Sequence, residues 1–184
     1  MIDAAPSIAV PLVVVMGVSG SGKTTLGRAL AERLRVPFGD ADDFHPPGNI
    51  AKMSSGIPLD DADRMPWLRA LGAWLAGHRD TGAVITCSAL ERAYRDVLRG
   101  AVPALGFVHL DPSPDVVRRR IAGRRGHFMP ASLIDSQFRA LEPLQPDERG
   151  IVLVGGDRSV DALVMACLAV SPDLTDLPTP PVRA

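Results

Sequence analysis

Near the start of the chain, residues Leu12 to Thr24 read LVVVMGVSGSGKT. The five apolar residues that open this stretch have the length of a short buried strand, and a glycine-rich turn follows them directly. The last eight residues fit the pattern G-x-x-x-x-G-K-[ST]; they are Gly17, Val18, Ser19, Gly20, Ser21, Gly22, Lys23 and Thr24. With 17 glycines among 184 residues, a chance match at either lysine has a probability of about 0.002 if composition alone sets the odds. The stretch therefore predicts a strand, a phosphate-binding loop and the start of a helix.

The predicted loop binds phosphate through its backbone and its last side chains. Glycines let successive N–H groups point inward at phosphate oxygens, and the start of the following helix adds the positive end of its dipole. Lys23 is predicted to reach the β- and γ-phosphates of ATP, the Thr24 hydroxyl to hold Mg²⁺, and Thr25 to complete the nucleotide contacts. Among 20 basic residues only Lys23 and Lys52 are lysine, which makes these two ammonium groups the first candidates for chemistry.

Short apolar runs alternate with segments of helical periodicity along the rest of the chain, which is typical of a parallel sheet covered by helices. The predicted strands are Leu12–Met16, Val36–Gly39, Ala83–Cys87, Leu105–Leu110 and Ile151–Val154. We predict an α/β protein with the P-loop NTPase fold, a five-stranded parallel sheet flanked by helices, and a lid segment at about 122–131. Residues 1–170 are predicted to form a single domain with a substrate-binding segment at about 42–68, and the proline-rich residues 171–184 a frayed tail.

Composition excludes several classes of protein. The net charge of -1 argues against a general binder of nucleic acid or anionic membranes, since such binding depends on a large positive excess. Two cysteines, Cys87 and Cys167, are too few for a disulfide framework or a four-thiolate metal site. The apolar run from Ile8 to Val18 is far shorter than the roughly 20 residues of a membrane-spanning helix and lacks the features of a signal peptide. We therefore expect a cytoplasmic protein with no nucleic-acid or membrane partner.

Three carboxylates follow the second predicted strand, at Asp40, Asp42 and Asp43. In open α/β sheets, ligands bind at this carboxyl end of the strands. Alternation along an extended chain is expected to point Asp40 and Asp42 the same way and Asp43 the opposite way. One carboxylate of the aligned pair would hold Mg²⁺ through water, and the other would accept a hydroxyl proton from a sugar-like substrate. The alternative is an exposed acidic turn without a ligand.

Two absences narrow the class of nucleotide-binding protein. No Asn-Lys-x-Asp tetrad for reading guanine occurs in the sequence. The third predicted strand ends in Thr86-Cys87-Ser88, without the acidic pair that motor ATPases carry after a hydrophobic strand. A kinase remains, together with a nucleotide-dependent switch or assembly ATPase that works with a partner protein.

Several further strings carry a family signature. They are Asp40-Ala41-Asp42-Asp43-Phe44-His45-Pro46, Asn49, Lys52-Met53, Gly56-Ile57-Pro58-Leu59, Asp61-Ala62-Asp63-Arg64-Met65-Pro66-Trp67-Leu68, Cys87-Ser88-Ala89-Leu90, Tyr94-Arg95-Asp96 and Arg124-Arg125-Gly126-His127-Phe128. Together these strings resemble the signature of bacterial-type gluconokinases over nearly the whole predicted domain. The resemblance implies a fold like that of shikimate and adenylate kinases, ATP-dependent phosphorylation of D-gluconate at its 6-hydroxyl, and a homodimer.

Gluconate is a polyol with a carboxylate, so its site needs cations for one end and polar groups for the hydroxyls. Candidate cations are Lys52, Arg64 and Arg95, and candidate hydroxyl partners are His45 and Ser88. Each residue also has a purely structural interpretation. Lys52 could be a solvated helix residue, His45 part of a turn, and Ser88 a helix cap. Arg64 could pair with Asp60, Asp61 or Asp63, just before a helix that starts at a proline. Arg95 could pair with Asp96 or Glu91.

A basic cluster follows the fourth predicted strand and includes Arg120 and Arg124 at i, i+4 spacing. Gly123 and Gly126 supply the flexibility of a lid. Such a lid would deliver positive charge to the transferring phosphoryl group and exclude water. Arg120 and Arg124 are therefore predicted to bind ATP, with Arg124 also catalytic.

The resemblance adds two residues on the lid side and one replacement. It implies that His127 and Gln137 line the substrate site. The family has lysine directly after Cys-Ser-Ala-Leu, where this chain has Glu91. Arg92, the next residue, is the candidate to supply the missing cation.

The motifs and the resemblance together predict a gluconate kinase. Lys23 and Mg²⁺, held by Thr24 with Asp40, stabilise the phosphates, while Asp42 orients and deprotonates the 6-hydroxyl and Arg124 closes from the lid. Two rivals remain open. One is the same fold acting on another small acceptor, such as shikimate or a nucleoside monophosphate. The other is the partner-dependent ATPase, in which the Asp40/Asp42 pair would have no catalytic use.

Overall fold

The computed structural model describes residues 11–122, 131–154 and 158–170. Within these ranges the strands are β1 (Leu12–Met16), β2 (Phe38–Asp40), β3 (Ala83–Thr86), β4 (Gly106–Asp111) and β5 (Gly150–Val154). All five are parallel and lie in the order β2-β3-β1-β4-β5. The predicted fold class is thereby confirmed, and every predicted strand is present, with ends that differ by at most two residues.

Helices cover both faces of this sheet. They are α1 (Lys23–Leu34), α2 (Pro47–Ser54), α3 (Asp61–Gly77), α4 (Arg92–Ala101), α5 (Pro114–Ala122), α6 (Ala131–Ala140) and α7 (Val160–Val170), with a 3-10 helix at Ala41–Phe44 after β2. None of the helices described combines the length and apolar character that a bilayer crossing requires. Arg124, His127, most of the predicted lid and the tail 171–184 lie outside the described residues.

The central strand explains why the opening apolar run lacks polar alternation. Every residue of β1 is buried, because β3 and β4 flank it and helices cover both faces. Val14 and Met16 pack into the core shared with α3 and α4, while Val13 and Val15 pack into the core shared with α1 and α7. A strand buried on both sides fixes the position of whatever follows it, and here that is the phosphate loop.

Helix α3 begins earlier than its proline indicates. The side chain of Asp60 accepts a hydrogen bond from the backbone N–H of Asp63 at 2.9 Å, and the side chain of Asp63 accepts one from the N–H of Asp60 at 3.1 Å. This reciprocal capping box starts the helix at Asp61. Pro66 lies inside it, so the interpretation of Pro66 as the first helical residue is wrong. Arg64 is consequently a helical residue, the fourth of α3.

Helix α4 begins later than the sequence pattern suggests. Its first residue is Arg92 and Glu91 stands at the N-cap. Ser88 lies four residues before the helix, in the loop that leaves β3, and so it does not cap it. The interpretation of Ser88 as a helix cap is wrong, because Glu91 holds the N-cap position of α4.

Candidate active site

The phosphate loop depends on glycine at both ends. Gly17 has φ 138° and a Cβ there would lie 2.5 Å from the carbonyl oxygen of Leu110. Gly22 has φ 105° at the N-cap of α1. Both values fall in a region that side chains disfavour. The motif's two fixed glycines are therefore demanded by backbone geometry, and they aim the start of α1 at the loop's interior.

The loop is anchored to the strand beside it. The N–H of Gly17 donates to the carbonyl oxygen of Ser88 at 3.2 Å, and the ammonium of Lys23 donates to the carbonyl oxygen of Val18 at 2.9 Å. The first contact holds the Cys87–Leu90 loop, after β3, against the phosphate loop. Ser88 thus lies beside the phosphate loop, and the use of its hydroxyl stays a prediction.

Two residues from later helices also reach the phosphate loop. Arg120 of α5 donates from Nη1 to the carbonyl oxygen of Ser21 at 2.8 Å. The N–H of Ser19 donates to Oε1 of Gln137 on α6 at 2.6 Å. Arg120 therefore contacts the phosphate loop, and its predicted contact with ATP stays a prediction. Gln137, predicted on the acceptor side, lies on the phosphate loop.

The acidic segment meets the phosphate loop through Thr24. Its hydroxyl donates to Oδ2 of Asp40 at 3.2 Å, and the other oxygen of Asp40 accepts from the backbone N–H of Asp42 at 3.3 Å. Strand β2 ends at Asp40 and a 3-10 helix follows, so the expected alternation through Asp42 and Asp43 is wrong. The cap formed by Asp40, rather than strand alternation, brings Asp40 and Asp42 together.

The oxygen atoms of Thr24 and Asp40 fit a magnesium ion. Mg²⁺ prefers hard oxygen ligands and is usually held by one or two protein groups together with phosphates and water. No group of three or more His, Cys, Asp or Glu side chains in the described ranges could hold a metal by itself. The oxygen atoms of Thr24 and Asp40 therefore suit an ion that nucleotide phosphates and water also help to hold.

His45 is packed as a neutral ring beside this segment. It stacks on Trp67 with ring centroids 4.3 Å apart, and its Nδ1 faces Nδ2 of Asn49 at 3.3 Å. An amide nitrogen donates, so Nδ1 accepts and the ring proton lies on Nε2. Burial lowers the pKa of His45, against an opposing effect of Asp42. His45 can therefore donate one hydrogen bond from Nε2 at neutral pH without carrying charge.

Lys52 is engaged with the start of α3. Its ammonium contacts both carboxylate oxygens of Asp63 at 2.6 Å and lies 4.0 Å from Asp60. The hydrogen bond to Asp63 raises the pKa of Lys52, and the same bond lowers the pKa of Asp63. Asn49 adds a hydrogen bond from Nδ2 to the carbonyl oxygen of Asp63 at 3.0 Å. Lys52 and Asn49 thus connect α2 to α3. The sequence analysis did not predict this structural role, and the substrate contact of Lys52 stays a prediction.

Arg64 makes a different kind of contact. Its Nη1 donates to the hydroxyl of Tyr94 at 2.6 Å, and that hydroxyl donates to Oδ1 of Asp61 at 2.8 Å. The guanidinium also lies over the ring of Tyr94, 5.3 Å from its centroid. Among the described residues Arg64 has no ion pair with a carboxylate, unlike the other predicted cations of the substrate site.

The two predicted cations on α4 are paired with the segment after α6. Arg92 contacts Asp147 at 2.6 Å and Asp96 at 3.5 Å. Arg95 has a fully buried side chain and forms a two-point pair with Glu148, with Nε and Nη2 at 2.6 and 2.9 Å from its oxygens. The geometry gives Arg95 a structural use, and its predicted substrate contact stays a prediction.

This chain is similar to known proteins over most of its length. A family model described as an AAA domain matches residues 13–130. A gluconokinase from Gluconobacter oxydans is 49% identical over 156 residues, covering 82% of this chain and 85% of that protein. The chain belongs to the gluconokinase family. It is accordingly a member of a family of kinases, enzymes that transfer phosphoryl groups from ATP.

Two solved structures extend the similarity to the gluconokinase-family fold. A gluconokinase from Sinorhizobium meliloti 1021 is 44% identical, with a TM-score of 0.80 over 90% of this chain and 91% of that one. An unliganded sugar kinase from Janibacter sp. HTCC2649 is 48% identical, with the same TM-score over 90% of this chain and 98% of that one. The family assignment and the fold thus agree along most of the chain.

Residues that sequence reasoning did not single out also shape this site. The family strings include Tyr94, Asn49 and Trp67, but the sequence predicts no role for them. Trp67 is buried, and its Nε1 donates to the carbonyl oxygen of Ala41 at 2.8 Å while His45 stacks on its ring. A buried tyrosine or tryptophan needs a polar partner, and this was the signal that could have marked Tyr94 and Trp67.

Gln137 offers a test of which substrate its side chain serves. In the structure its Oε1 accepts a hydrogen bond from the backbone N–H of Ser19 in the phosphate loop. Gln137→Leu should therefore leave that N–H free to bind a phosphate oxygen. We expect ADP to bind about fivefold more tightly to the variant, the equivalent of one ordinary hydrogen bond, as measured by calorimetry. The exposed Arg139 on the same helix gives the control Arg139→Ala. A weaker affinity for the acceptor with unchanged ADP binding would return Gln137 to the acceptor side.

Proposed function

We propose that this chain transfers the γ-phosphoryl group of ATP to the 6-hydroxyl of D-gluconate. The gluconokinases among its relatives support the choice of acceptor. The observation that carries the proposal is the hydrogen bond from Thr24 to Asp40, whose carboxylate also accepts one from the backbone N–H of Asp42. An acceptor bound by this acidic segment would lie directly beside the phosphate loop, which is the placement that transfer between two bound substrates requires.

Arg64 is the proposed anchor for the carboxylate of gluconate. A guanidinium has five N–H donors in a planar fork that matches a carboxylate, and the described protein uses one of them, on the neutral hydroxyl of Tyr94. Lys52, Arg92 and Arg95 already contact carboxylates. Their predicted contacts with substrate would require these pairs to open, whereas Arg64 pairs with no carboxylate among the described residues and keeps donors that none of those residues uses.

The hydroxyl groups of gluconate need neutral hydrogen-bonding partners. His45 is suited to this use because its ring is neutral and its Nε2–H is not committed to Asn49. The half-buried Ser88, beside the phosphate loop, is proposed as a second partner. His127 is proposed as a further contact on the family resemblance.

Transfer itself is proposed to begin at Asp42. This carboxylate accepts the proton of the 6-hydroxyl as the hydroxyl oxygen forms its bond to the γ-phosphorus and the bond from that phosphorus to the bridging oxygen of ADP breaks. Lys23, Arg120 and the loop amides hold the phosphates, and Arg124 from the predicted lid adds positive charge. Positioning and electrostatic stabilisation supply most of the rate enhancement, because phosphoryl transfer needs little covalent help.

Thr24 and Asp40 would hold Mg²⁺, which neutralises charge on the β- and γ-phosphates when it is bound. We further infer from the family resemblance that the enzyme works in the cytoplasm as a homodimer. The chemistry assigned to Asp42 and Arg64 does not depend on the compartment or on the oligomeric state.

An acceptor panel tests the proposed function. We expect ATP and Mg²⁺ with D-gluconate to release ADP without any partner protein, and phosphorus NMR of the product to show a phosphate ester on carbon 6. Shikimate and nucleoside monophosphates serve as alternative acceptors, and a reaction without acceptor measures hydrolysis. Absence of turnover with gluconate would reject the assignment. Hydrolysis that appears only with an added partner protein would favour the switch ATPase instead.

A further inference from the structure

Tyr94 stands between two groups that would otherwise attract each other. Asp61 and Arg64 are three residues apart on α3, which places oppositely charged side chains within reach on one helix face. Both residues are described by the structure, and their side chains form no direct ion pair with each other. The hydroxyl of Tyr94, arriving from α4, receives a hydrogen bond from Arg64 at 2.6 Å and gives one to Asp61 at 2.8 Å.

The tyrosine is held firmly enough to impose this arrangement. Its side chain is buried in the core cluster that also contains Trp67 and Leu98. Burial, followed by the hydrogen bond to Asp61, raises the pKa of Tyr94 to about 12, so the hydroxyl stays protonated and neutral at any working pH. Because its proton points to Asp61, its oxygen lone pairs face Arg64, and the two bonds reinforce each other.

We propose that Tyr94 is a positioning residue that separates Arg64 from Asp61 and so keeps the guanidinium available for the carboxylate of an acidic sugar substrate. This inference rests on the proposed function, in which Arg64 binds that carboxylate. The hydroxyl fixes one end of the planar guanidinium fork without neutralising its charge. A carboxylate in the same position would do both, and would compete with the substrate for the cation.

The test is a double-mutant cycle read through steady-state kinetics. Tyr94→Phe removes the separating hydroxyl and lets Arg64 pair with Asp61, so KM for gluconate should rise about tenfold, the loss expected for a hydrogen bond to a charged group. The kcat and the KM for ATP should change by less than about twofold, since the lost binding is common to ground and transition states. Asp61→Asn alone should raise KM for gluconate by about twofold, because an amide oxygen orients the hydroxyl less strongly.

The decisive measurement is the effect of Asp61→Asn in the Tyr94→Phe background. In that background the substitution removes the competing carboxylate, so it should lower KM for gluconate by several-fold. This change is opposite in sign to the increase in KM expected for Asp61→Asn in the wild type. A purely structural role for Tyr94 would instead add the two losses, and that result would overturn the proposal. Thermal unfolding of each variant identifies loss of fold. Failure of the wild type to turn over gluconate would reject the proposed function and this inference together, whereas gluconate turnover with an unchanged KM in Tyr94→Phe would reject the inference alone.

Discussion

Asp42→Asn should lower kcat for gluconate phosphorylation by about two to four orders of magnitude, the usual contribution of a positioned general base. An amide has nearly the same size as the carboxylate but cannot accept the hydroxyl proton. The Asp42 side chain is exposed and accepts no hydrogen bond from the described residues, and the bond to Asp40 uses the backbone N–H of Asp42. The substitution should therefore leave the fold intact and ATP affinity within about twofold.

The neighbouring Asp43 is the matched control for this experiment. It is also exposed and lies in the same 3-10 helix, but the proposed mechanism gives it no role. Asp43→Asn should keep kcat within about threefold of the wild type, as measured by ADP release at saturating gluconate and ATP. Near-native kcat in Asp42→Asn, or equal losses in both variants, would show that Asp42 is not the base.

Arg95→Ala should lower the free energy of unfolding by about 3–5 kcal/mol, because it leaves a buried carboxylate without its partner. Arg95 and Glu148 both have side chains with no solvent exposure. The guanidinium also donates to the carbonyl oxygens of Ala89, Leu90 and Glu142. It therefore joins α4, the loop after β3 and the segment after α6, and since total stability is typically about 5–15 kcal/mol, the loss is a large share of it.

Urea unfolding followed by tryptophan fluorescence measures this effect. Arg99 lies on the same helix and pairs with Asp96 and Asp147 at the surface, so Arg99→Ala is the control and should cost less than about 1 kcal/mol. The double variant Arg95→Met/Glu148→Leu should be more stable than Arg95→Ala, because no unpaired charge stays buried. Equal losses in Arg95→Ala and Arg99→Ala would contradict the structural role.

The same pair predicts a pH dependence of stability. Burial raises the pKa of Glu148, but the hydrogen bonds from Arg95 and the backbone of Gln145 outweigh it, and the pKa lies below its usual value of 4.5. A carboxyl with a lowered folded-state pKa stabilises the fold above its unfolded pKa, and that stability is lost as pH falls through the folded pKa. Stability should thus decline below about pH 4.5, and the part due to Glu148 should be absent from Glu148→Gln.

Sequence reasoning succeeded where the chemistry is local. The phosphate loop, its strand and the start of α1 follow from adjacent residues, because glycine conformation and the first turn of a helix depend on near neighbours. The proximity of Thr24 and Asp40 was also predicted, since the carboxyl ends of parallel strands share one edge of the sheet. The prediction of strand alternation failed at Asp42, because strand β2 ends at Asp40 and the side chain of Asp40 caps a 3-10 helix that contains Asp42.

The cations show the limit of the sequence most clearly. Lys52, Arg64 and Arg95 were equal candidates for an anion, since each has the same charge. Their partners lie 11, 30 and 53 residues away in the chain, at Asp63, Tyr94 and Glu148. Periodicity and motif spacing describe residues that are near each other in the chain. No such local pattern therefore distinguishes a cation paired with a carboxylate from one without such a partner.

The sequence by itself therefore predicted a glycine-rich phosphate loop and determined which family the protein resembles, because both depend on consecutive residues and backbone conformation. Only the tertiary structure decided which of the predicted cations pair with carboxylates and which one, among the described residues, does not. That choice depends on side chains brought together by the packing of α3, α4 and the segment after α6, where burial makes an ion pair permanent and a neutral tyrosine hydroxyl leaves Arg64 its charge.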